Sequence, residues 1–292
     1  MVRPPDRLRS VAVGLAGFAI LSAVWEGYKA FGNAVGGKVL GWKLPGRTDD
    51  ASMPHITTIV SSFTKAEVRG SDRTVFSAIV SGSWYTFRLA IAGFAVGVAV
   101  GLVLAIVMQR FRILERAWLP YVVLSQTVPL VALAPLIVGW GGQLRIFGHP
   151  WQSWMSVTAM SAYLAFFPVS IGALRGLHSP KPHSLELMDS YAASWWQTLM
   201  KLRFPAALPY IIPALKLAAA ASIVGTIVAE ISSGTSGGVG RLILDYFQKA
   251  TGDPARVFTA FIGASALGLI VAGLIALFEM FVMRNRPKGS TA

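Results

Sequence analysis

The chain has 292 residues, of which 54% are hydrophobic, only 13% are charged and none is cysteine. Soluble domains carry about 25% charged residues, so this composition excludes an ordinary soluble fold, and the lack of cysteine excludes disulfides and thiolate chemistry. The net charge of +13 would suggest nucleic acid in a soluble protein, but here the basic residues lie between apolar runs, as in loops that face anionic lipid.

Six apolar stretches are each long enough to cross the hydrocarbon, which takes about 20 residues in an α-helix. They are residues 8–31, 84–108, 118–140, 151–174, 208–231 and 257–283. Several of them begin or end at tryptophan, which prefers the headgroup region. The sequence therefore predicts an all-α integral membrane protein with about six transmembrane helices.

The first stretch has two interpretations. Arg3, Arg7 and Arg9 precede it, as basic residues precede the apolar part of a secretory signal peptide. No small-residue cleavage site follows it directly, and further apolar stretches come after it. We therefore expect a retained helix.

Basic residues cluster on one side of the membrane if successive spans alternate in direction. Because Lys and Arg collect in cytoplasmic loops, that side is predicted to be the cytoplasm, with both termini inside. The clusters precede the first span or follow the second, fourth and sixth spans: Arg3, Arg7, Arg9; Arg110, Arg112, Arg116; Arg175, Lys181, Lys201, Arg203; Arg284, Arg286, Lys288. The outer segment 32–83 is also basic, but long loops follow this rule poorly.

The loop 175–207 between the fourth and fifth spans is too long for a minimal connector and too patterned for a flexible one. Ser184 is expected to cap a helix, and Glu186 and Asp189 follow in its first turns, where carboxylates suit the helix dipole. We predict a helix of about 185–201 on the cytoplasmic side. This pattern alone leaves two roles open: an interfacial helix that only joins two spans, or a surface that docks a partner.

This loop resembles the cytoplasmic signature of permease subunits in binding-protein-dependent ABC importers. The signature reads Glu-Ala-Ala, three residues, Gly, nine residues, Ile, one residue, Leu-Pro. Its spacing matches throughout, from Glu186 to Pro205, while its residue identities match only at those two positions. The other signature positions are occupied, in order, by Leu187, Met188, Ala192, Leu202 and Phe204.

The resemblance covers about 83–283 and is strongest to the branch for nitrate, sulfonates, taurine and thiamine precursors. It also rests on residues 114–116, 125–129, 193–197, 204–209 and 230–240. It implies a type I importer permease fold in which the loop docks on an ABC ATPase. The ATPase-coupling residues that it implies are Glu186, Leu187, Met188, Ala192, Ala193, Ser194, Trp195, Leu202 and Pro205.

The same resemblance implies partners and an organisation. The partners are an ABC ATPase, an extracytoplasmic solute-binding protein, membrane lipid and a second copy of the permease in a homodimer, with no nucleic acid. The organisation is an N-terminal helix with an external loop (1–83), a permease domain (84–283) containing the coupling loop 175–207, and a basic cytoplasmic tail (284–292). The location is the bacterial inner membrane.

No cofactor, metal or catalytic site is expected in this chain. The glycine-rich run 232–240 lacks the Gly-Lys-Ser/Thr ending of a P-loop and is predicted to be a tight turn on the outer side. ATP and Mg²⁺ are therefore expected on the separate ATPase chain. The four histidines are scattered over several loops, at His55, His149, His178 and His183.

Polar residues within spans are costly and mark candidates for the translocation path. In the fifth span Ser222, Thr226 and Glu230 recur every four residues and share one helix face. In the third span Gln126 and Thr127 precede a proline. The alternative for the serine, threonine and glutamine residues is hydrogen bonding between helices. Glu230 lies near the outer surface and is expected to be solvated, or to act as a gate or docking contact.

The function implied is import of a small solute delivered by a binding protein, with a heterocyclic vitamin or its precursor slightly favoured. A pyrimidine precursor of thiamine and a riboflavin-like molecule are the examples. The alternatives are a sulfonate, taurine or nitrate permease, and an ion-coupled secondary transporter. The last class usually shows internal repeats and midplane carboxylates, and neither is seen. An intramembrane enzyme would need His, Asp or Ser residues clustered at one depth, and the sequence shows no such cluster.

Overall fold

The structure is a computed structural model that describes residues 7–36, 38–39, 42–43, 47–68, 70–146, 148–250 and 252–283. Its helices are α1 (Arg7–Ala34), α2 (Ile56–Ser62), α3 (Val75–Arg110), α4 (Arg112–Ser125), α5 (Leu130–Gly141), α6 (Ser153–Leu177), α7 (Pro182–Ser190), α8 (Trp195–Thr198), α9 (Phe204–Ser233), α10 (Val239–Gln248) and α11 (Ala255–Met283). Its strands form two short antiparallel hairpins: β1 (Lys38–Val39) with β2 (Trp42–Lys43), and β3 (Arg145–Ile146) with β4 (His149–Pro150).

Internal contacts divide the chain into two units. They are Met1–Ala78 with Asp245–Ile262, and Ile79–Leu244 with Gly263–Ala292. In the first unit, Lys29 Nζ lies 2.5 Å from an Asp50 carboxylate oxygen, and Arg256 Nη1 donates to the Glu67 carbonyl over 2.7 Å. The division into 1–83, 84–283 and 284–292 that the sequence suggests is based on membrane topology and stays a prediction. Residues 284–292 are not among the described residues.

The second unit is held together by close helix packing at small residues. On α3, Gly93, Gly97 and Gly101 recur every four residues and face α6. A Cβ atom at Gly97 would lie only 2.7 Å from the Cβ of Ala165. In a bilayer, helix association relies on such van der Waals contact rather than on exclusion of water. The three glycines therefore set how closely α3 approaches α6.

Helices α6 and α9 pack against each other in the same way. A Cβ atom at Gly176 of α6 would lie 2.8 Å from the Cβ of Ala207, and one at Gly172 would lie 2.3 Å from that of Ala214. Both alanines are buried. This pairing fixes the start of α9 against the end of α6, the two helices that flank the segment with α7 and α8.

Within the described residues, four helices are long and apolar enough to cross a membrane, and a bent pair adds a fifth candidate. The four are Val75–Arg110, Ser153–Leu177, Trp195–Ser233 and Ala255–Leu277. The first predicted span coincides with α1, but the side chains at the start of α1 are not among those that the structure describes. The count of six spans and the cytoplasmic termini therefore stay predictions.

The third predicted span, 118–140, is not one straight helix. It consists of α4 and α5, which are bent by 103° at a short break. Pro129 sits at the N-cap of α5 with an extended backbone, and a proline disfavours helical geometry in the residue before it. The Ser125 and Thr127 hydroxyls donate to the carbonyls of Val122 and Leu124, which further favours a turn over a continuous helix.

Candidate functional site

The predicted coupling helix of about 185–201 is two helices, not one. Helix α7 starts at Pro182 with Lys181 as its N-cap, so Ser184 is not the cap that the sequence suggested. Proline at the first helical position has the required φ and lacks only an N–H that would have no helical partner. The second helix, α8, starts at Trp195.

The turn between α7 and α8 is a Schellman motif. The Ala193 N–H donates to the Met188 carbonyl over 3.0 Å, and the Ala192 N–H donates to the Asp189 carbonyl over 2.9 Å. Ala192 adopts the left-handed conformation, with φ of 50°. This is the position at which the importer signature carries glycine, and glycine is the residue that adopts this conformation without a Cβ penalty. The glycine of the signature therefore suits a left-handed backbone, which Ala192 adopts at a cost in conformational free energy.

Helix α8 begins with a capping box. The Gln197 N–H donates to Ser194 Oγ over 3.3 Å, and the Ser194 N–H donates to the Gln197 side-chain oxygen over 2.8 Å. A π-helical turn, Leu199–Arg203, then continues into α9, so that one helix of 39 residues runs from Trp195 to Ser233. Trp195 therefore lies on the same continuous helix as Ser222 and Thr226.

Three contacts join this segment to the ends of α3 and α6. The Arg203 guanidinium donates to the Leu177 carbonyl over 2.9 Å, and the Ser179 hydroxyl donates to the Ala206 carbonyl over 3.3 Å. The Arg110 guanidinium lies over the Trp195 ring, 5.1 Å from its centroid. Such cation–π contacts contribute about 0.5–2 kcal/mol. The ends of α3 and α6 thus contact the segment 195–206.

The implied coupling residues differ in exposure. Glu186, Leu187, Ala192, Ser194 and Pro205 are exposed, whereas Met188, Ala193, Trp195 and Leu202 are half-buried. Three large hydrophobic side chains of the segment are more than half exposed: Leu187, Tyr191 and Trp196. Since α7 buries none of its residues within this chain, its surface is available to a partner.

Ser222 and Thr226 already have partners within the helix bundle. Both are buried, with their hydroxyls donating to carbonyls one turn back on α9, and the Ser161 hydroxyl of α6 donates to the Ser222 carbonyl over 2.9 Å. Ser222 also borders an apolar cavity of about 410 Å³ between α3, α9 and α11. Their role in a translocation path stays a prediction.

Gln126 and Thr127 lie at the break between α4 and α5, and both are exposed. The Tyr163 hydroxyl of α6 donates to the Ser125 carbonyl, which pins the break to the bundle. A bent pair of this kind is tolerated in a membrane where it is covered by protein or lines an aqueous cavity. The predicted path residues therefore fall into two places, this break and the buried face of α9.

Glu230 is completely buried, contrary to the expectation that it is solvated. The Thr86 hydroxyl lies 2.8 and 2.9 Å from the two carboxylate oxygens, and the Gly240 N–H donates to one of them over 2.9 Å. The Val239 N–H in turn donates to the Thr86 hydroxyl over 2.9 Å. The carboxylate therefore ties the end of α9 and the start of α10 to α3.

Glycines allow the 232–240 loop to close over this carboxylate. A Cβ atom at Gly238 would lie 2.0 Å from the Glu230 carboxyl carbon, and Gly234 and Gly237 have φ of 69° and 108°. The glycine-rich run 232–240, which superficially resembles a phosphate loop, thus packs around the carboxylate of Glu230 in the same chain. The sequence signalled both the glycines and the glutamate, but not Thr86, which lies 144 residues from Glu230.

The long apolar helices define a multi-pass membrane protein. The chain belongs to the family described as the binding-protein-dependent transport system inner membrane component, whose model matches residues 97–286. It is therefore a multi-pass protein of the inner membrane and a component of a transporter. In general, such permeases work with an ATPase and an external binding protein.

Several curated permease proteins are similar to this chain. A formylaminopyrimidine transport permease protein of Halalkalibacterium halodurans is 29% identical over 70% of this chain and 76% of its own length. A riboflavin transport system permease protein of Chloroflexus aurantiacus is 27% identical over 60% and 61%. Names of other matched permeases mention aliphatic sulfonates and bicarbonate, so the names agree on no single solute.

The structural match supports the fold. A chain from the crystal structure of an amino acid ABC transporter with histidines superposes with a TM-score of 0.55 at 20% identity, covering 70% of this chain and 94% of that chain. At this level of identity the likeness concerns the architecture of the helices and carries no information about the solute.

Proposed function

We propose that this chain is the permease subunit of an ATP-driven importer and that α7, with the turn at Ala192, docks on an ABC ATPase. The observation that carries the proposal is the Schellman turn at the signature position of glycine, followed by one continuous helix from Trp195 to Ser233. Coupling between two sites requires an element whose position both sites bias. An exposed docking helix joined to a membrane helix has that property.

The contacts of α8 and of the π-helical turn that follows it support a path for this coupling. Arg110 on Trp195 and Arg203 on the Leu177 carbonyl join the docking segment to α3 and α6 as well as to α9. Closure of an ATPase dimer around ATP would move α7 and, through α8, the ends of three membrane helices together. A second copy of this chain is the proposed partner across the translocation path, because closed twofold dimers are the commonest symmetric assembly.

The proposed solute is a heterocyclic vitamin or vitamin precursor. Two similar permeases carry names that mention a formylaminopyrimidine and riboflavin, which are both flat, hydrogen-bonding heterocycles. A sulfonate permease is the second candidate, because another similar permease is named for aliphatic sulfonates. Selection of the solute is proposed to rest mainly on the external binding protein.

An uptake experiment with several labelled solutes tests both the importer function and the class of solute. Cells with and without the chain are given labelled formylaminopyrimidine, riboflavin, taurine and nitrate, with and without vanadate. We expect vanadate-sensitive uptake of one heterocycle to be lost without the chain. Loss of taurine or nitrate uptake alone would overturn the heterocycle and keep the importer. Uptake that depends on the chain but resists vanadate and collapses with the ion gradient would contradict the importer itself.

A further inference from the structure

A small basic pocket lies between the first half of α4 and His178, which follows α6. Its volume is about 240 Å³, and Arg112, Glu115, Arg116 and His178 line it. His178 Nε2 lies 3.3 Å from a Glu115 carboxylate oxygen. Both arginines are exposed, and in the described part of the chain neither forms an ion pair.

The local geometry leaves the two guanidinium groups facing the same opening. Arg112 and Arg116 are four residues apart on α4 and therefore lie on one helix face. Glu115, between them in sequence, is paired with His178 of the neighbouring helix end instead. Two guanidinium groups, each with several N–H donors in a planar fork, form a binding site suited to the oxygens of a phosphate.

The surface beside the pocket is apolar and aromatic. Three residues of α4 are exposed there: Ile113 at 83%, Tyr121 at 72% and Trp118, between them in sequence, at 40%. Tryptophan and tyrosine favour the headgroup level of a bilayer. Helix α4 is nearly perpendicular to α5, with a bend of 103° between them. A helix that lies in the membrane interface has this orientation relative to an adjoining helix that enters the bilayer.

We propose that this pocket binds the phosphate of an anionic phospholipid, with Arg112 and Arg116 as the headgroup contacts and the exposed face of α4 against the acyl chains. Basic pockets between membrane helices on the cytoplasmic side are suited to anionic headgroups. A soluble phosphate would use the arginines but not the apolar flank. An ATPase contact would be expected around α7, whose surface is unburied within this chain.

The test is lipid retention by the full-length chain in detergent, measured by native mass spectrometry. Phosphatidylglycerol and phosphatidylcholine with identical acyl chains are added in equal amounts. We expect preferential retention of phosphatidylglycerol, and about a 25-fold loss in the Arg112→Gln/Arg116→Gln variant, at about fivefold per arginine. The matched control, Arg145→Gln/Lys249→Gln, removes the same charge from other loops and should bind as the original chain does. Equal retention in both double variants would overturn the proposal.

A third variant and two competitors sharpen the result. Glu115→Gln removes the only carboxylate of the pocket and should raise phosphatidylglycerol retention, whereas a loss would show that the two arginines do not carry the site. Displacement of the lipid by millimolar inorganic phosphate would indicate a soluble-anion site. Unchanged lipid retention in Arg112→Gln/Arg116→Gln, together with loss of a co-expressed ATPase, would indicate a protein contact. Either of these results would overturn the lipid assignment.

Discussion

Ala192 holds a left-handed backbone, with φ of 50°, that costs a residue with a Cβ about 1–2 kcal/mol relative to its right-handed conformation. We predict that Ala192→Gly raises the thermal stability of the detergent-solubilised chain, by up to about 1 kcal/mol, because glycine has no such penalty. Ala192→Val should lower the stability. The control is Ala193→Gly at the next position, which should not stabilise; an equal gain there would contradict the strain at Ala192.

Glu230 is predicted to stabilise the C-terminal end of α9 through the hydrogen bonds that it accepts from Thr86 and Gly240. Glu230→Ala leaves the Gly240 N–H and the Thr86 hydroxyl without their acceptor, and each buried polar group left unpaired costs about 1–3 kcal/mol. Glu230→Gln keeps an acceptor oxygen and the side-chain shape. We expect thermal unfolding to show a clearly larger loss for Glu230→Ala than for Glu230→Gln.

A partner variant separates this network from simple loss of volume. Thr86→Val removes both the donor to Glu230 and the acceptor for the Val239 N–H, while Thr86→Ser retains them. Thr86→Val should therefore be destabilising by about 1–3 kcal/mol and Thr86→Ser close to neutral. Equal stability of the two Thr86 variants would contradict the proposed network.

The sequence located several individual residues but not their partners. The spacing of the importer signature placed Ala192 where glycine is expected, and the structure gives the reason in the left-handed turn. Glu230 was expected to be solvated because its position along the span is near the outer end. Its burial depends on the following glycine loop folding back and on Thr86 from a distant helix, neither of which local periodicity reports.

At the scale of helices, Gly97 tests the close packing of α3 on α6. A Cβ atom there would lie 2.7 Å from the Ala165 Cβ and 2.8 Å from the Ala162 carbonyl oxygen, which is backbone and cannot rotate away. We predict that Gly97→Ala costs about 1–3 kcal/mol by overpacking, and Gly97→Leu more. The matched control is Gly268→Ala in α11, where no atom lies within 4 Å of the added Cβ.

Differential scanning of the purified variants in one detergent distinguishes the two glycines. A large loss at Gly97 with no loss at Gly268 is expected. Similar changes at both positions would mean that the substitutions act through helix propensity rather than through the α3–α6 contact.

Long apolar helices were predictable because burial in lipid demands an unbroken apolar run, and α3, α6, α9 and α11 overlap stretches that the sequence marks. Breaks were harder to predict. The third stretch kept its apolar composition through the bend before Pro129, and the 185–201 helix kept its helical pattern through the turn at Ala192. Hydrophobicity does not distinguish a straight helix from a bent pair, since the two can have the same apolar composition.

At the scale of the whole molecule, we propose that movement of an ATPase is passed to the membrane helices through α7 and the Trp195–Ser233 helix. The family, the membrane location and the transporter class follow from matched sequence and fold. The docking surface is the part that depends on this chain's own geometry, because it requires an exposed α7 and a tight turn before α8.

The most direct measurement compares Ala192→Trp with Ala192→Gly for co-purification with a co-expressed ATPase and for ATP-dependent uptake. The exposed turn should accept the indole without disturbing membrane insertion, which protease mapping of the spans checks. We predict that Ala192→Trp inserts normally, loses the ATPase and loses uptake, while Ala192→Gly retains both. Normal co-purification and uptake in Ala192→Trp would contradict α7 and its turn as the docking surface.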